Sequence, residues 1–309
     1  MDMWFISMCK HKDVPSPQFT GFYRETATNN RRVAMPYSPQ HERHAMKYGH
    51  HHLSAVDNPI AANEKWWSDN ASEYLAEHGS ILGDEDFIWG PEGLREADIQ
   101  FLGGLSNQRV LEIGAGAAQC SRYLARKGID VVATDLAQGM LDQARELNNT
   151  HGVTFPLEQA DARRLPYPDD SFDVVFTSFG VLPFVPYLNE VHQEIYRVLR
   201  PGGLWAYSAL HPTRWMFPDD PTATGLTAVN SYFDRTPYIE RSHKSLEYAE
   251  FHHTLADHIN SLIESGFTID ELFEPPWPAG RTVIWGGWGP ERSPIIPGTL
   301  MVRARKPRS

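Results

Sequence analysis

The spacing of hydrophobic positions along the chain changes near residue 109. Between residues 58 and 104 apolar positions recur at helical spacing, and Pro59 and Pro91 stand where two helices would begin. From residue 109 to residue 210 short apolar runs alternate with amphipathic stretches, which predicts strands separated by helices. This alternation is typical of a mainly parallel sheet that is covered by helices on both faces.

These patterns place the individual elements. The predicted strands are 110–113, 131–134, 153–157, 172–176, 204–210, 267–273 and 299–303. The predicted helices are 59–78, 91–102, 117–127, 138–147, 186–199 and 254–265. Glycine follows most of the predicted helices, as expected at helix C-termini.

The same patterns divide the chain into three regions. Residues 1–57 show no sustained helical or strand period, so we expect an arm that is mobile or draped over the main domain. Residues 58–108 form a predicted helical cover, and residues 109–309 form the main α/β domain. Between residues 211 and 251 the alternation stops in a stretch rich in proline, aspartate and aromatic residues, which predicts an insertion or lid.

Composition and charge narrow the classes of function. The 309 residues carry a net charge of −11, which disfavours nucleic acid, because phosphates are bound mainly through clustered lysine and arginine. The two cysteines are too few for a disulfide framework or a cysteine-built zinc site, and no metal site is expected. No apolar run is long enough to span a membrane, so we expect a cytoplasmic protein.

One segment carries a cofactor signal. Gly114 and Gly116 join a predicted strand to a predicted helix, where they permit a tight turn and let a ligand approach bare backbone. Glu112 stands two positions before the first glycine, and Gln119 replaces the third glycine of a dinucleotide fingerprint. Asp135 ends the next predicted strand, where a carboxylate can accept hydrogen bonds from both hydroxyls of a ribose. The sequence therefore favours an adenosine-containing cofactor without a pyrophosphate.

Five segments in this order resemble the class I S-adenosylmethionine-dependent methyltransferases, in particular the subgroup that includes the ubiquinone and menaquinone methylases. The matching segments are 112–118, with Ala118 in place of the last glycine of the motif, and 135–136, 160–166, 171–175 and 198–203. The resemblance implies a doubly wound, Rossmann-like α/β fold with a mostly parallel seven-stranded sheet. The helical cover at 58–108 and the insertion at 211–251, predicted above from the residue pattern, would extend this fold at its N-terminus and after the fifth strand.

The resemblance further implies which residues bind S-adenosylmethionine. Asp135 would hold the ribose, Asp161 the adenine amino group, and Glu112 would lie near the methionine amino group. The predicted cofactor-binding residues are Glu112, Gly114, Ala115, Gly116, Asp135, Leu136, Met140, Asp161, Ala162 and Ser178. Structural alternatives stay open, since Glu112 could instead form an ion pair and Asp135 could cap a helix.

Aromatic residues outside the cofactor segments predict an acceptor pocket for a small apolar or aromatic molecule. The predicted pocket residues are Trp67, Tyr74, Trp89, Trp215, Tyr232 and Trp285. The alternative is that these rings only pack the cover and the insertion onto the sheet. His211 directly follows the fifth predicted strand and is the candidate general base, and its alternative is a structural histidine fixed by Pro212.

The predicted function is methyl transfer from S-adenosylmethionine to a small molecule by in-line displacement, with water excluded from the site. Two alternatives stay open. The chain could be a non-catalytic protein that binds S-adenosylmethionine as a sensor or partner-binding module. It could also be a nicotinamide-dependent oxidoreductase on a similar fold, although Glu112 and Gln119 argue against that interpretation.

Overall fold

A seven-stranded sheet forms the centre of the computed structural model, which describes residues 57–243 and 245–308. Apart from Asp57, the predicted N-terminal arm lies outside the described residues. The strands are β1 Arg109–Ile113, β2 Asp130–Asp135, β3 Leu157–Gln159, β4 Phe172–Ser178, β5 Leu199–Leu210, β6 Tyr238–Ser242, β7 Ser245–Glu250, β8 Thr268–Phe273 and β9 Thr299–Arg305. The helices are α1 Pro59–Asp69, α2 Ala71–Leu82, α3 Glu96–Ile99, α4 Gln119–Arg126, α5 Gln138–His151, α6 Leu188–Val198 and α7 Leu255–Glu264.

The strand order in the large sheet is β3-β2-β1-β4-β5-β9-β8. Strands β1 to β5 pair in parallel, whereas β9 runs antiparallel to both of its neighbours. The chain reverses its direction of winding between β1 and β4, and ligands bind at this kind of switch point in doubly wound sheets. The predicted Rossmann-like fold with a mostly parallel seven-stranded sheet is thus confirmed.

Side chains of alternate strand residues pack into two separate hydrophobic cores, one on each face of the sheet. Leu111 belongs to a buried cluster with residues of α6 and α7, such as Val191 and Leu262. Its neighbour Val110 belongs to a second cluster with Leu124 of α4. This alternation follows from the two-residue period of a strand, and it places helices on both faces of the sheet.

Several predicted elements differ from the structure, and the single helix predicted at 59–78 is two helices, α1 and α2, which are separated at Asn70. The helix predicted at 91–102 is wrong, because only α3 is helical and Gln100 ends it in a left-handed conformation. The buried carboxylate of Glu96 accepts hydrogen bonds from the backbone N–H groups of Phe101 and Leu102, which fixes a turn there. The third strand begins later than predicted because Gly152 and Val153 complete the C-terminus of α5.

Helix α1 is fastened to the segment between β5 and α7. Its buried Asn63 donates to the carbonyl of Ala249 at 2.9 Å and accepts from the backbone N–H of the same residue at 2.8 Å. The amide also donates to the carbonyl of Phe184 at 3.4 Å. Arg241 forms an ion pair with Asp57 just before α1. The antiparallel hairpin of β6 and β7 therefore supports the cover directly.

The helices of the described part do not include a membrane-spanning candidate, because none is both long and apolar enough to cross a bilayer.

Candidate functional site

A cavity of about 160 Å³ opens at the carboxyl edge of β1, β2 and β4, beneath helices α1 and α2. This is much more than the roughly 10–15 Å³ that holds one water molecule. Its wall is formed by Ile60, Asn63, Glu64, Trp67, Tyr74, Leu75, Leu82, Ile88, Gly90, Pro91, Gly114, Ala115, Gly116, Ala117, Gln119, Asp135, Leu136, Ala137, Met140, Ala160, Asp161, Ala162, Ser178, Phe179, Gly180, Val181, Phe184, Val185 and Trp285. The cavity therefore joins the cofactor segments to the helical cover.

The turn after β1 depends on its glycines. Gly114 has φ +61°, and a Cβ atom there would lie 2.6 Å from Cγ2 of Val181. Gly180, in the turn after β4, faces it from the other side, since its Cβ would lie 2.5 Å from the Gly114 carbonyl oxygen. Gly116 has φ +55°, and its Cβ would meet no protein atom within 4 Å. Two turns thus pack backbone against backbone, and Gly116 borders open space in the cavity.

Asp135 ends β2 inside the cavity wall. One carboxylate oxygen accepts from the backbone N–H of Gly116 at 2.7 Å, and the other accepts from that of Ala137 at 2.8 Å. Burial raises the pKa of Asp135, and these backbone donors partly oppose the increase. A carboxylate has about four acceptor positions, so Asp135 keeps acceptor capacity that a ribose hydroxyl could use.

Asp161 also lies in the wall, but its carboxylate is already engaged. It accepts from the backbone N–H of Arg163 at 2.9 Å and from two nitrogens of the same guanidinium. Partial burial acts to raise the pKa of Asp161, yet the hydrogen bonds from Arg163 outweigh this effect and lower it. An adenine amino group would share this carboxylate with Arg163, which also pairs with Glu190.

Glu112 lies behind the glycine turn and not in the cavity wall, although it is among the predicted cofactor-binding residues. Its buried carboxyl accepts from the backbone N–H of Ser121 at 3.0 Å and from the hydroxyl of the same residue at 2.5 Å. Burial raises its pKa to about 8, against the opposing effect of the Ser121 hydrogen bonds. In this structure Glu112 braces the start of α4 against β1.

The other predicted cofactor residues surround these acidic groups. Leu136, Met140, Ala115 and Ala162 give the wall apolar surface next to Asp135 and Asp161. The Ser178 hydroxyl donates to the carbonyl of Ile88 at 2.7 Å and ties the end of β4 to the segment before α3.

Three of the six predicted acceptor residues line the same cavity. Trp67 contacts Tyr74 edge-on, with ring centroids 5.3 Å apart, and also contacts Phe184 at 5.5 Å. Trp285 reaches the cavity from the loop before β9 and stacks on His78 of α2 at 5.2 Å. Burial lowers the pKa of His78 to about 4, so this imidazole is neutral near pH 7.

Three other predicted acceptor residues lie outside the cavity wall. Trp89 is fully buried, and its indole N–H donates to Glu96 at 2.8 Å. Trp215 packs against His252 in the segment after β5. The Tyr232 hydroxyl accepts from the backbone N–H of Leu255 at the start of α7. These rings pack the surrounding segments together, which is the alternative that the sequence left open.

His211 is also outside the cavity wall. Its Nε2 lies 2.7 Å from a carboxylate oxygen of Glu274, and its Nδ1 lies 2.7 Å from the hydroxyl oxygen of Thr213. Burial lowers the pKa of His211, and the Glu274 carboxylate opposes this decrease. The side chain caps the short helical turn 212–216, with both ring nitrogens engaged.

Several cavity residues were not anticipated from the sequence. Phe179 and Phe184 follow β4, Gln119 begins α4, and Asn63 and Glu64 lie on α1. The position of Phe179 just beyond a strand of the switch point was a usable signal, because ligands meet the sheet there. Asn63 and Glu64 reach the cavity only through the packing of α1, which no local pattern encodes.

Residues 111–207 match a family described as a methyltransferase domain. An uncharacterized protein of Mycobacterium bovis is 37% identical over 95 residues, which cover 31% of this chain and 34% of the relative. A demethylmenaquinone methyltransferase of Beutenbergia cavernae is 34% identical over 149 residues, which cover 48% of this chain and 58% of the relative. The chain thus spans about a third to three fifths of the length of these curated relatives.

Solved structures extend the similarity over more of the fold. An S-adenosylmethionine-dependent methyltransferase from Mesorhizobium loti is 26% identical, with a TM-score of 0.55, over 70% of this chain and 100% of that one. A structure from Listeria monocytogenes, described as a putative S-adenosylmethionine-dependent methyltransferase, is 22% identical with a TM-score of 0.52. The match covers 76% of this chain and 99% of the Listeria chain, and it supports the fold alone.

Proposed function

We propose that this chain, which belongs to the class I S-adenosylmethionine-dependent methyltransferases, transfers a methyl group to a small apolar or aromatic acceptor. The family and the cofactor, S-adenosylmethionine, were both predicted from the sequence and are confirmed by the comparisons. The observation that carries the proposal is the shared cavity. The glycine turn and Asp135 lie in the same wall as Trp67, Tyr74 and Trp285.

The cavity fits the cofactor. Gly116 has no protein atom in the direction of a Cβ, so a ligand can lie directly on this part of the backbone. Asp135 retains acceptor capacity for ribose hydroxyls, and Leu136 and Met140 offer apolar surface to a base. When bound, S-adenosylmethionine supplies a methyl group on a positively charged sulfur, which is a strong electrophile.

The residues of this chain would then position the reactants and exclude water. The turns after β1 and β4 are packed against each other, which fixes the backbone on one side of the cavity. Helices α1 and α2 cover the other side, where Trp67, Tyr74 and Trp285 would hold an acceptor. Alignment of this kind lowers the barrier of the displacement, and the proton of a hydroxyl or thiol acceptor would leave to solvent at the mouth of the cavity as the new bond to the methyl group forms.

The charge of the wall supports an acceptor without negative charge. Among the described residues that line the cavity, Glu64, Asp135 and Asp161 are acidic, and there is no lysine, arginine or histidine. A carboxylate or phosphate on the acceptor would find no cationic side chain in the wall to pair with and would meet repulsion from Glu64 on the cover side. The name of the Beutenbergia relative, demethylmenaquinone methyltransferase, also supports a small-molecule acceptor.

Turnover with a panel of small neutral phenols, thiols and aromatic amines tests the proposal. The purified chain and S-adenosylmethionine should yield S-adenosylhomocysteine and a singly methylated product, both identified by mass spectrometry. Benzoates of matched size should react more slowly. If S-adenosylmethionine binds but no acceptor is methylated, a sensor or partner-binding role replaces this proposal.

A further inference from the structure

A further apolar cluster, separate from the two cores of the sheet, adjoins the cavity at the ends of β4 and β5. Leu210, Trp277 and Trp288 are buried together, and the partly buried ring of Phe179 packs against them. Of these four residues only Phe179 also lines the cavity. Phe179 is therefore the residue that the cavity and the cluster share.

The backbone fixes the position of this ring. Phe179 has φ +59°, an uncommon conformation for a bulky residue, and its N–H donates to the carbonyl of Ser208 at 3.0 Å. A Cβ atom on Gly90 would lie 2.9 Å from Cε2 of Phe179, so the ring already fills the space up to that glycine. Phe179 has no room to swing aside toward Gly90.

The cluster behind the ring has supports of its own. The guanidinium of Arg214 lies 4.4 Å from the centre of the Trp288 ring. The Trp277 indole N–H donates to the carbonyl of Arg281 at 3.1 Å, and Arg281 in turn donates to the carbonyl of Pro91 at 2.7 Å. Shortening Phe179 should therefore leave these rings in place and open apolar space in front of them.

We propose that Phe179 is the end wall of the acceptor pocket and sets the greatest length of apolar tail that an acceptor can carry. This inference rests on the proposed function, since it treats the aromatic part of the cavity as the acceptor pocket. With phenylalanine at position 179 the tail ends at the ring. With a smaller residue the tail extends toward Leu210, Trp277 and Trp288.

Para-alkylphenols with tails from methyl to heptyl measure this length directly. Their dissociation constants are determined by calorimetry with S-adenosylhomocysteine at saturation. Affinity for the wild-type chain should rise about fourfold with each methylene that enters the pocket, and should then stop rising. The chain length at which it stops should be greater for Phe179→Ala, and intermediate for Phe179→Leu, which is the milder change if alanine impairs folding.

Phe273→Ala is the matched control. Phe273 is partly buried against the core cluster that contains Val110 and Leu124, and it is not in the cavity wall. Its tail-length limit should equal that of the wild-type chain. If Phe179→Ala and Phe179→Leu both keep the wild-type limit, the end wall is elsewhere and the inference fails while the proposed function stands. If no para-alkylphenol binds the wild-type chain, the aromatic part of the cavity does not hold apolar tails and the inference fails, whereas turnover with the thiols and aromatic amines of the panel decides the proposed function separately.

Discussion

The two sides of the cavity are built in different ways. The proposed cofactor side consists of short turns at the ends of neighbouring strands, and its key contacts are made by backbone atoms of Gly114, Gly116 and Ala137. The cover side gathers side chains from α1, α2, the turn after β4 and the loop before β9. A local sequence can specify the first side, whereas the second depends on contacts between distant parts of the chain.

The largest expected effect is on the cofactor side. Gly114→Ala adds a Cβ atom to a residue with φ +61° and places it against Val181. Left-handed strain and overpacking together should reduce the free energy of unfolding by about 2–5 kcal/mol. Gly152→Ala is the control, because Gly152 has φ +63° but open space around its Cβ. Urea unfolding should show a clearly smaller loss for the control, and equal losses would mean that the two turns are not tightly packed.

Asp135→Ala tests the ribose contact. Loss of hydrogen bonds to a charged carboxylate should weaken S-adenosylmethionine binding by about 1.5–3 kcal/mol. Calorimetry measures the affinity, and a melting curve checks that the variant is folded. Asp142→Ala, on the exposed surface of α5, should bind the cofactor as the wild-type chain does. Unchanged affinity for Asp135→Ala would remove this residue from the cofactor site.

Asn63→Ala tests the fastening of the cover. The substitution leaves the buried backbone groups of Ala249 without their side-chain partners and should cost about 1–3 kcal/mol of unfolding free energy. Asn149→Ala, at an exposed position of α5, should stay within about 0.5 kcal/mol of the wild-type chain. A loss no greater than that of the control would show that α1 is held by other contacts.

Glu250 makes the stability of the cover side depend on pH. Burial raises its pKa from 4.5 to about 7, although the Tyr248 hydroxyl bond opposes the increase. The folded state therefore keeps the Glu250 proton to a higher pH than the unfolded state. The contribution of this proton to the free energy of unfolding is fully present below pH 4.5 and is lost as pH rises through about 7.

The wild-type chain should therefore lose about 1–2 kcal/mol more unfolding free energy between pH 5 and pH 8 than Glu250→Gln. Denaturant unfolding at the two pH values measures the difference. Glu247→Gln, at an exposed position of the same strand, should keep the wild-type dependence on pH. Parallel curves for wild type and Glu250→Gln would contradict this assignment.

The smallest expected effect is that of His211→Asn. His211 is outside the cavity wall and has both ring nitrogens engaged, so kcat should change by less than about threefold, or roughly 0.7 kcal/mol. The pH profile of kcat should also be unchanged. A loss of about 10²–10⁴-fold would instead restore His211 as the general base.

The geometry of the proposed cofactor side could be predicted from sequence because its determinants are local. Gly114 and Gly116 are needed for the shape of the turn, and Asp135 follows directly from the end of a strand. Glu112 shows the limit of this reasoning. Its position in the motif predicts a role near the ligand, but only the structure shows that its carboxyl is directed to Ser121.

The cover side could be predicted only in its chemical character. The surplus of aromatic residues outside the sheet predicts a pocket lined by rings, but it does not distinguish Trp67 from Trp89. Trp67 lines the cavity and Trp89 is fully buried beside Glu96. The difference arises from how α1 and the segment before α3 pack against the sheet, and this packing involves residues far apart in the chain.

The two hydrogen bonds between Asn63 and Ala249, here called the clasp, join residues that are 186 positions apart. During synthesis, α1 leaves the ribosome long before its partner strand β7. Helix α1 therefore cannot form its hydrogen bonds to β7 until β7 has been synthesised. A nascent chain that ends after β5 already has the strands that present Gly116 and Asp135, but it does not have the clasp. The order of synthesis therefore delivers the proposed cofactor-binding surface first and the covered cavity last.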